Sequence, residues 1–155
     1  MLLAIFAITP AIAKDRVVRI LAIGNSFSED AVCQNLHELA ASNGESCIIA
    51  NLYIVGCSLE RHWNNASADA NAYRYRKIGT DGIRVQKDNV SLDMALREES
   101  WDYISLQQAS GFSGMETSYS PYLDQLIKYI RKRVPSHTRI IWHQTWAYAH
   151  DATHG

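Results

Sequence analysis

The chain has 155 residues, of which 47% are hydrophobic, and its formal net charge at pH 7 is −1. A chain of this length and apolar content folds as one domain with a hydrophobic core. A net charge near zero gives no reason to expect nucleic acid or an anionic membrane surface as a partner.

The N-terminal residues 1–13 resemble a secretory signal peptide. Residues 2–12 are apolar apart from one threonine and one proline, Ala11-Ile12-Ala13 has the small-x-small pattern of a cleavage site, and charged residues follow. The apolar segment is too short for a stable membrane span, which needs roughly 20 residues. The usual basic start is missing, so an upstream start stays open; the alternative is a buried first strand. We expect a secreted or periplasmic protein whose folded domain comprises residues 14–155.

Hydrophobic periodicity predicts strands that alternate with helices, which is typical of an α/β fold with a parallel sheet between two helical layers. We expect a three-layer α/β/α sandwich in which a β-hairpin is an insertion. In chain order, the predicted elements are a strand at Val17–Ile23, a helix at Glu29–Asn43, a strand at Cys47–Val55, a short helix and loop within Leu59–Ala72, a hairpin of Tyr73–Ile78 and Ile83–Lys87, a helix at Ser91–Glu99, a strand at Tyr103–Leu106, a helix at Pro121–Val134 and a strand at Arg139–His143.

The first strand is followed by a candidate nucleophile. Residues 20–28 read Ile-Leu-Ala-Ile-Gly-Asn-Ser-Phe-Ser, so Ser26 lies between the end of a strand and the start of a helix. Ligands of open α/β sheets bind at the carboxyl ends of strands, and N–H groups at a helix start can stabilise a developing negative charge. Ser26 is therefore a candidate for acyl transfer if a base reaches it. The alternative is that Ser26 or Ser28 caps the helix.

Small or polar residues also follow the other predicted parallel strands. Gly56 follows the second strand, Gln107 and Gln108 follow the third, and His143 ends the fourth. The carboxyl ends of parallel strands share one edge of the sheet, so these residues are expected to converge with Ser26. A serine, a glycine N–H and a side-chain amide together make a nucleophile with two oxyanion donors. The alternative is that these residues serve turn geometry alone.

These segments resemble the conserved blocks of the SGNH (GDSL-type) hydrolases, in an uncharacterised branch of secreted bacterial proteins. Residues 23–28 are similar to the first block, with Asn25 replacing its aspartate; residues 55–58 resemble the second block, and residues 101–108 the strand that leads to the third. The resemblance implies a flavodoxin-like sandwich and a serine esterase without a cofactor, acting on O-acyl groups of carbohydrates or similar small acyl esters. It implies Ser26 as nucleophile, Gly56 as oxyanion N–H, and Gln107 or Gln108 in place of the family's asparagine donor.

The family's base and its orienting acid normally come from an Asp-x-x-His string. Asp151-Ala152-Thr153-His154 fits that string but follows the fourth strand by only a few residues. The chain ends without a closing helix, so we expect a last strand and helix, and with them the functional pair, to be missing. The alternative is that Asp151 and His154 form the pair. Rival functions are a non-catalytic glycan-binding or scaffold protein and a metal-dependent hydrolase using His143, His150 and His154, whose spacing is a weak metal signal.

The three cysteines, Cys33, Cys47 and Cys57, make an odd count. Cys33 lies among apolar helical positions and is predicted to be a buried thiol. A Cys47–Cys57 disulfide is compatible with an oxidising compartment, but spacing alone leaves the pairing open.

Overall fold

The computed structural model describes residues 16–29 and 35–145. The predicted signal peptide, Cys33 and the Asp151–His154 string lie outside the described residues. The described segments form a six-stranded sheet flanked by helices, in the strand order β4-β3-β2-β1-β5-β6. The strands are β1 Val18–Gly24, β2 Cys47–Tyr53, β3 Tyr73–Ile78, β4 Arg84–Val90, β5 Tyr103–Leu106 and β6 Arg139–Trp142; the helices are α1 Ser26–Ser28, α2 Leu36–Ser42, α3 Leu59–Ser67, α4 Leu92–Glu98 and α5 Tyr122–Arg131.

The sheet is mixed, which corrects the expectation of a wholly parallel sheet. Strand β1 pairs in parallel with β2 and β5, and β5 pairs in parallel with β6. The hairpin β3–β4 is antiparallel and pairs with β2 through β3. The predicted hairpin is present, and it extends the sheet from β2. The free edge of β2 offers unpaired backbone groups, and β3 satisfies them.

The main core lies between one face of the sheet and the helices α3, α4 and α5. Alternate residues of the central strands, such as Leu21, Leu52 and Ile104, are fully buried there. Trp101 fills the same core and donates its indole N–H to Ala95 O at 3.0 Å. α3 and α5 pack on each other, and Trp63 meets Tyr129 edge-on. The side chains that face this core alternate along each strand, because successive side chains of a strand point to opposite faces of the sheet.

The structure differs from the single helix predicted at Glu29–Asn43. α1 is a single short turn at Ser26–Ser28, α2 begins at Leu36, and residues 30–34 lie outside the description. Hydrophobic periodicity predicts that Leu36, Leu39 and Ala40 share one apolar, buried face of this helix, but Leu39 is 64% exposed. α2 packs along β2 and buries no side chain completely, because one short helix on one strand covers only a narrow stripe. Gly44 follows the helix at φ +78°, the left-handed conformation in which a glycine commonly ends a helix.

Among the described residues, strand β6 forms one edge of the sheet. Ile141 and Trp142 are 45% and 38% exposed, and the Trp142 ring contacts Tyr119 at 5.4 Å between centroids. In the described segments, no helix is long and apolar enough to cross a membrane.

Candidate active site

Ser26 stands in the turn that leaves β1, at the first position of α1, and it is exposed. Asn25, not a serine, caps this turn: its Oδ1 accepts a hydrogen bond from Phe27 N–H at 3.3 Å. The Asn25 carbonyl accepts from the N–H and hydroxyl of Ser28 at 3.1 and 2.9 Å. The alternative that Ser26 or Ser28 supplies the helix cap is therefore wrong, and the Ser26 hydroxyl is left at the surface.

Gly56 lies in a turn after β2, beside the Ser26 turn. Its φ of +57° is in the left-handed region, which glycine adopts without a steric penalty. Cys57 N–H closes the turn onto Ile54 O at 3.3 Å, and Ile54 N–H donates to Gly24 O at 3.3 Å. Within the part of the chain that the structure describes, the N–H groups of Ser26 and Gly56 make no hydrogen bond. Both therefore remain free to act as donors.

The Asn25 side chain connects the ends of three strands. Its Nδ2 donates to Cys57 O at 3.2 Å, which ties the Ser26 turn to the Gly56 turn. Its Oδ1 also accepts from Gln107 Nε2 at 2.5 Å, which ties the same turn to the end of β5. Asn25 is 2% exposed and Gln107 is 1% exposed. The predicted convergence of Ser26, Gly56 and Gln107 thus rests on one buried asparagine.

The two glutamines after β5 have different partners. Gln108 Oε1 accepts from Leu59 N–H at 3.0 Å, and Gln108 Nε2 donates to Ser118 at 3.1 Å. Gln108 therefore joins the start of α3 to the loop after β5, whereas Gln107 reaches Asn25. In this structure both Nε2 atoms donate to protein groups. Donation by either residue to an oxyanion therefore stays a prediction.

A second buried asparagine supports the same turn. Asn51 Nδ2 donates to Ser28 Oγ at 2.8 Å and lies 3.4 Å from Ala22 O. The roles of Asn25 as the hub of this site and of Asn51 beneath the Ser28 hydroxyl were not predicted from the sequence. For Asn51 a signal existed, because a lone amide interrupts the apolar segment Cys47–Tyr53, and a buried polar side chain needs partners.

The end of β6 lies next to the end of β5. His143 N–H donates to Leu106 O at 2.8 Å, and partial burial lowers the pKa of the His143 side chain. His150, His154 and Asp151 lie outside the described residues, so neither the Asp-x-x-His pair nor the histidine metal site is tested. Among residues 16–29 and 35–145, no group of histidine, cysteine and acidic side chains is arranged to hold a metal ion.

Cys47 and Cys57 are both free thiols, so the disulfide left open by the sequence is not formed. Cys57 lies directly after Gly56 and is fully buried. Burial raises the pKa of its thiol to about 12, despite the opposing charge of Arg61. The thiol next to the site is therefore a packing group in its protonated form.

Comparison with protein families gives a match over residues 19–155 to the family described as "Domain of unknown function (DUF4886)". The chain belongs to the DUF4886 family. It is similar to the crystal structure of a DUF4886 family protein from Bacteroides uniformis ATCC 8492, with 50% sequence identity and a TM-score of 0.85. The match covers 90% of this chain and 54% of that chain, so the DUF4886 segment here spans about half the length of its relative. No curated protein matches the chain.

Proposed function

We propose that the chain carries the nucleophile and two oxyanion donors of a serine esterase of the SGNH type, with a three-layer α/β/α architecture. One observation carries the proposal: an exposed serine and two unpaired N–H groups, those of Ser26 and Gly56, are held together through the Asn25–Cys57 hydrogen bond of 3.2 Å. A nucleophile beside two fixed donors is the arrangement that stabilises a tetrahedral oxyanion.

The chemistry follows from these groups. A histidine removes the Ser26 hydroxyl proton while Ser26 Oγ attacks the ester carbonyl carbon, and the carbonyl oxygen becomes an oxyanion that accepts from Ser26 N–H and Gly56 N–H. The tetrahedral intermediate collapses, the histidine returns the proton to the leaving alcohol, and an acyl-serine remains. Water, deprotonated by the same histidine, then attacks the acyl-serine carbonyl carbon; as the second tetrahedral intermediate collapses, the bond to Ser26 Oγ breaks, the histidine returns the proton to Oγ, and the acid is released. In this sequence, Asp151 and His154 fit the string from which such a base comes.

The proposed substrates are O-acyl groups of carbohydrates or similar small acyl esters, and the proposed compartment is secreted or periplasmic. The exposure of Ser26 supports an extended substrate, because a hydroxyl at the surface can reach an ester on a polymer. The rival is a glycan-binding or scaffold protein of the same fold that does not turn over esters. Asn25 at the usual aspartate position favours neither, since it supports the turn through its amide.

Ester turnover by the natural full-length protein tests the proposal. Ser26→Ala should lower kcat on acetyl and short-chain aryl esters by about 10⁶, the loss expected for a triad nucleophile. Ser67→Ala is the matched control, because Ser67 is an exposed serine at the end of α3 whose hydroxyl donates to Asn64 O. A serine-directed phosphonate should add mass to the peptide that contains Ser26.

Two results would overturn the assignment. Full activity in folded Ser26→Ala protein removes Ser26 from the mechanism. A wild-type protein that binds a glycan, hydrolyses no ester and takes no phosphonate label supports the binding-protein rival.

A further inference from the structure

We propose that Asn25 and Gln107 form a positioning clamp that fixes the Ser26 N–H and the Gly56 N–H relative to one another. This inference rests on the proposed function, because it explains how the two oxyanion donors are held. Neither side chain is proposed to touch the substrate. Both are buried beneath the turn, at 2% and 1% exposure. The two polar atoms of Asn25 and Nε2 of Gln107 bond to protein groups, whereas the buried Gln107 Oε1 has no hydrogen-bond partner in the described structure.

The clamp requires an amide at position 25, because the side chain both accepts and donates. Oδ1 accepts from Phe27 N–H and from Gln107 Nε2, while Nδ2 donates to Cys57 O. A carboxylate can accept both of the first two hydrogen bonds, but it has no proton for the Cys57 carbonyl. An ionised aspartate would therefore place two acceptors against each other at the joint between the Ser26 and Gly56 turns.

Gln107 supports the orientation of the Asn25 amide. The backbone already orients this amide, because its oxygen faces the donor Phe27 N–H and its nitrogen faces the acceptor Cys57 O. Gln107 Nε2 donates to the same Asn25 oxygen and reinforces this orientation. Gln107 also lies against β1, since a Cβ atom on Gly24 would be 2.7 Å from Gln107 Cδ. The absence of a side chain at position 24 therefore leaves the space that the Gln107 side chain occupies. Gln107 is thus assigned as a positioning residue, in place of the oxyanion donor predicted from the sequence.

The decisive experiment measures kcat for Asn25→Asp relative to wild type as a function of pH. At about pH 8 the ionised aspartate should open the joint and lower kcat by roughly 10²- to 10³-fold, as for loss of one oxyanion donor, with little change in KM. Burial raises the pKa of an introduced carboxyl, and a protonated carboxyl donates as an amide does. The ratio of variant to wild-type kcat should therefore rise at least about tenfold as the pH falls to about 5.

Two further variants separate positioning from mere destabilisation. Gln107→Glu removes the donor to Asn25 and should lower kcat at neutral pH in the same way. Thr138→Val is the matched control, because Thr138 is also 2% exposed and its buried hydroxyl donates to Trp101 O at 2.7 Å, far along the sheet from Ser26. It should reduce stability and leave kcat unchanged.

A readout that does not depend on activity completes the test. In ¹H–¹⁵N spectra, Gln107→Glu should shift the amide resonances of both Ser26 and Gly56, whereas Thr138→Val should shift neither. Unmoved Ser26 and Gly56 amides, or a pH-independent kcat ratio for Asn25→Asp in an enzyme that requires Ser26, would overturn the clamp alone. Shifted amides in a protein without ester turnover would keep the clamp and overturn the proposed function.

Discussion

Gly24 and Gln107 approach each other so closely that no side chain fits between them. A Cβ atom on Gly24 would lie 2.7 Å from both Cδ and Oε1 of Gln107, and equally close to Ser28 Oγ. The last residue of β1 is thus a glycine because a buried glutamine from β5 occupies the space that its side chain would fill.

Gly24→Ala should destabilise the fold by about 1–3 kcal/mol, the usual cost of overpacking a core. It should also displace Gln107 and lower ester turnover. Gly111→Ala is the control, because a Cβ there meets nothing within 4 Å. Urea denaturation gives the free energy of unfolding for both variants; equal values would contradict the close packing at Gly24.

His62 should make stability depend on pH below neutrality. It is fully buried, and its Nδ1 lies 3.0 Å from the Tyr73 hydroxyl. Burial, aided by the charge of Arg61, lowers the pKa of His62 to about 3. The pKa of His62 in the unfolded chain is about 6.5, so below this pH the unfolded chain binds a proton at His62 and the folded protein does not. The free energy of unfolding therefore falls as the pH drops from about 6.5 toward 3.

The slope approaches about 1.4 kcal/mol per pH unit, so roughly 2 kcal/mol should be lost between about pH 6.5 and pH 5. His62→Gln should remove this component of the pH dependence, as followed by urea denaturation at each pH. Tyr73→Phe retains the buried imidazole and should retain the slope. An identical slope in wild type and His62→Gln would show that His62 is not the group responsible.

Cys57 should resist alkylation in the folded protein. Its thiol is fully buried, and its pKa is raised to about 12. The thiolate fraction at pH 8 is then about 10³-fold lower than for an ordinary cysteine with a pKa near 8.5. Peptide mass mapping after iodoacetamide treatment should find Cys57 unmodified in buffer and modified in guanidinium chloride. Equal modification in both conditions would place the thiol at the surface.

Asp102 should contribute stability that is lost in acid. Its burial acts to raise its pKa, but the hydrogen bonds from Arg19 N–H and from Arg16 outweigh this and hold the pKa below its usual range. The ionised form is therefore favoured by folding, and the contribution is present above about pH 4 and lost as the pH falls through the folded pKa.

Asp102→Asn should lower the free energy of unfolding by about 1 kcal/mol at pH 7, because the hydrogen bond from Arg19 N–H loses its charge assistance. The ion pair with Arg16 adds little, since the Arg16 side chain is 78% exposed. Urea denaturation at several pH values should show that the difference in free energy of unfolding between Asp102→Asn and wild type becomes smaller below about pH 4. Asp88→Asn, in an exposed pair with Arg74, should be close to neutral throughout. A difference for Asp102→Asn that stays constant into acid would contradict the assignment.

Local pattern determined the elements and the position of the candidate nucleophile. A strand followed by a turn is predicted because an apolar segment ends at Gly24 and Ser26 follows two residues later. The structure has β1 and then the short turn α1 at these positions. The hairpin was also predictable, because its turn residues stand between two strand-like segments. These features depend on neighbours along the chain, and hydrophobic periodicity reports them directly.

The contacts that hold the candidate site together depend on how distant strands pair in the sheet. Gln107 and Asn25 are 82 residues apart, and their hydrogen bond exists because β5 lies beside β1 in the sheet. The sequence placed both at strand ends but could not say that one amide would face the other. For the same reason, the exposure of Leu39 and the pairing of the hairpin with β2 could not be predicted from the sequence. Burial and strand pairing depend on which surfaces pack together, and the local hydrophobic period does not determine this.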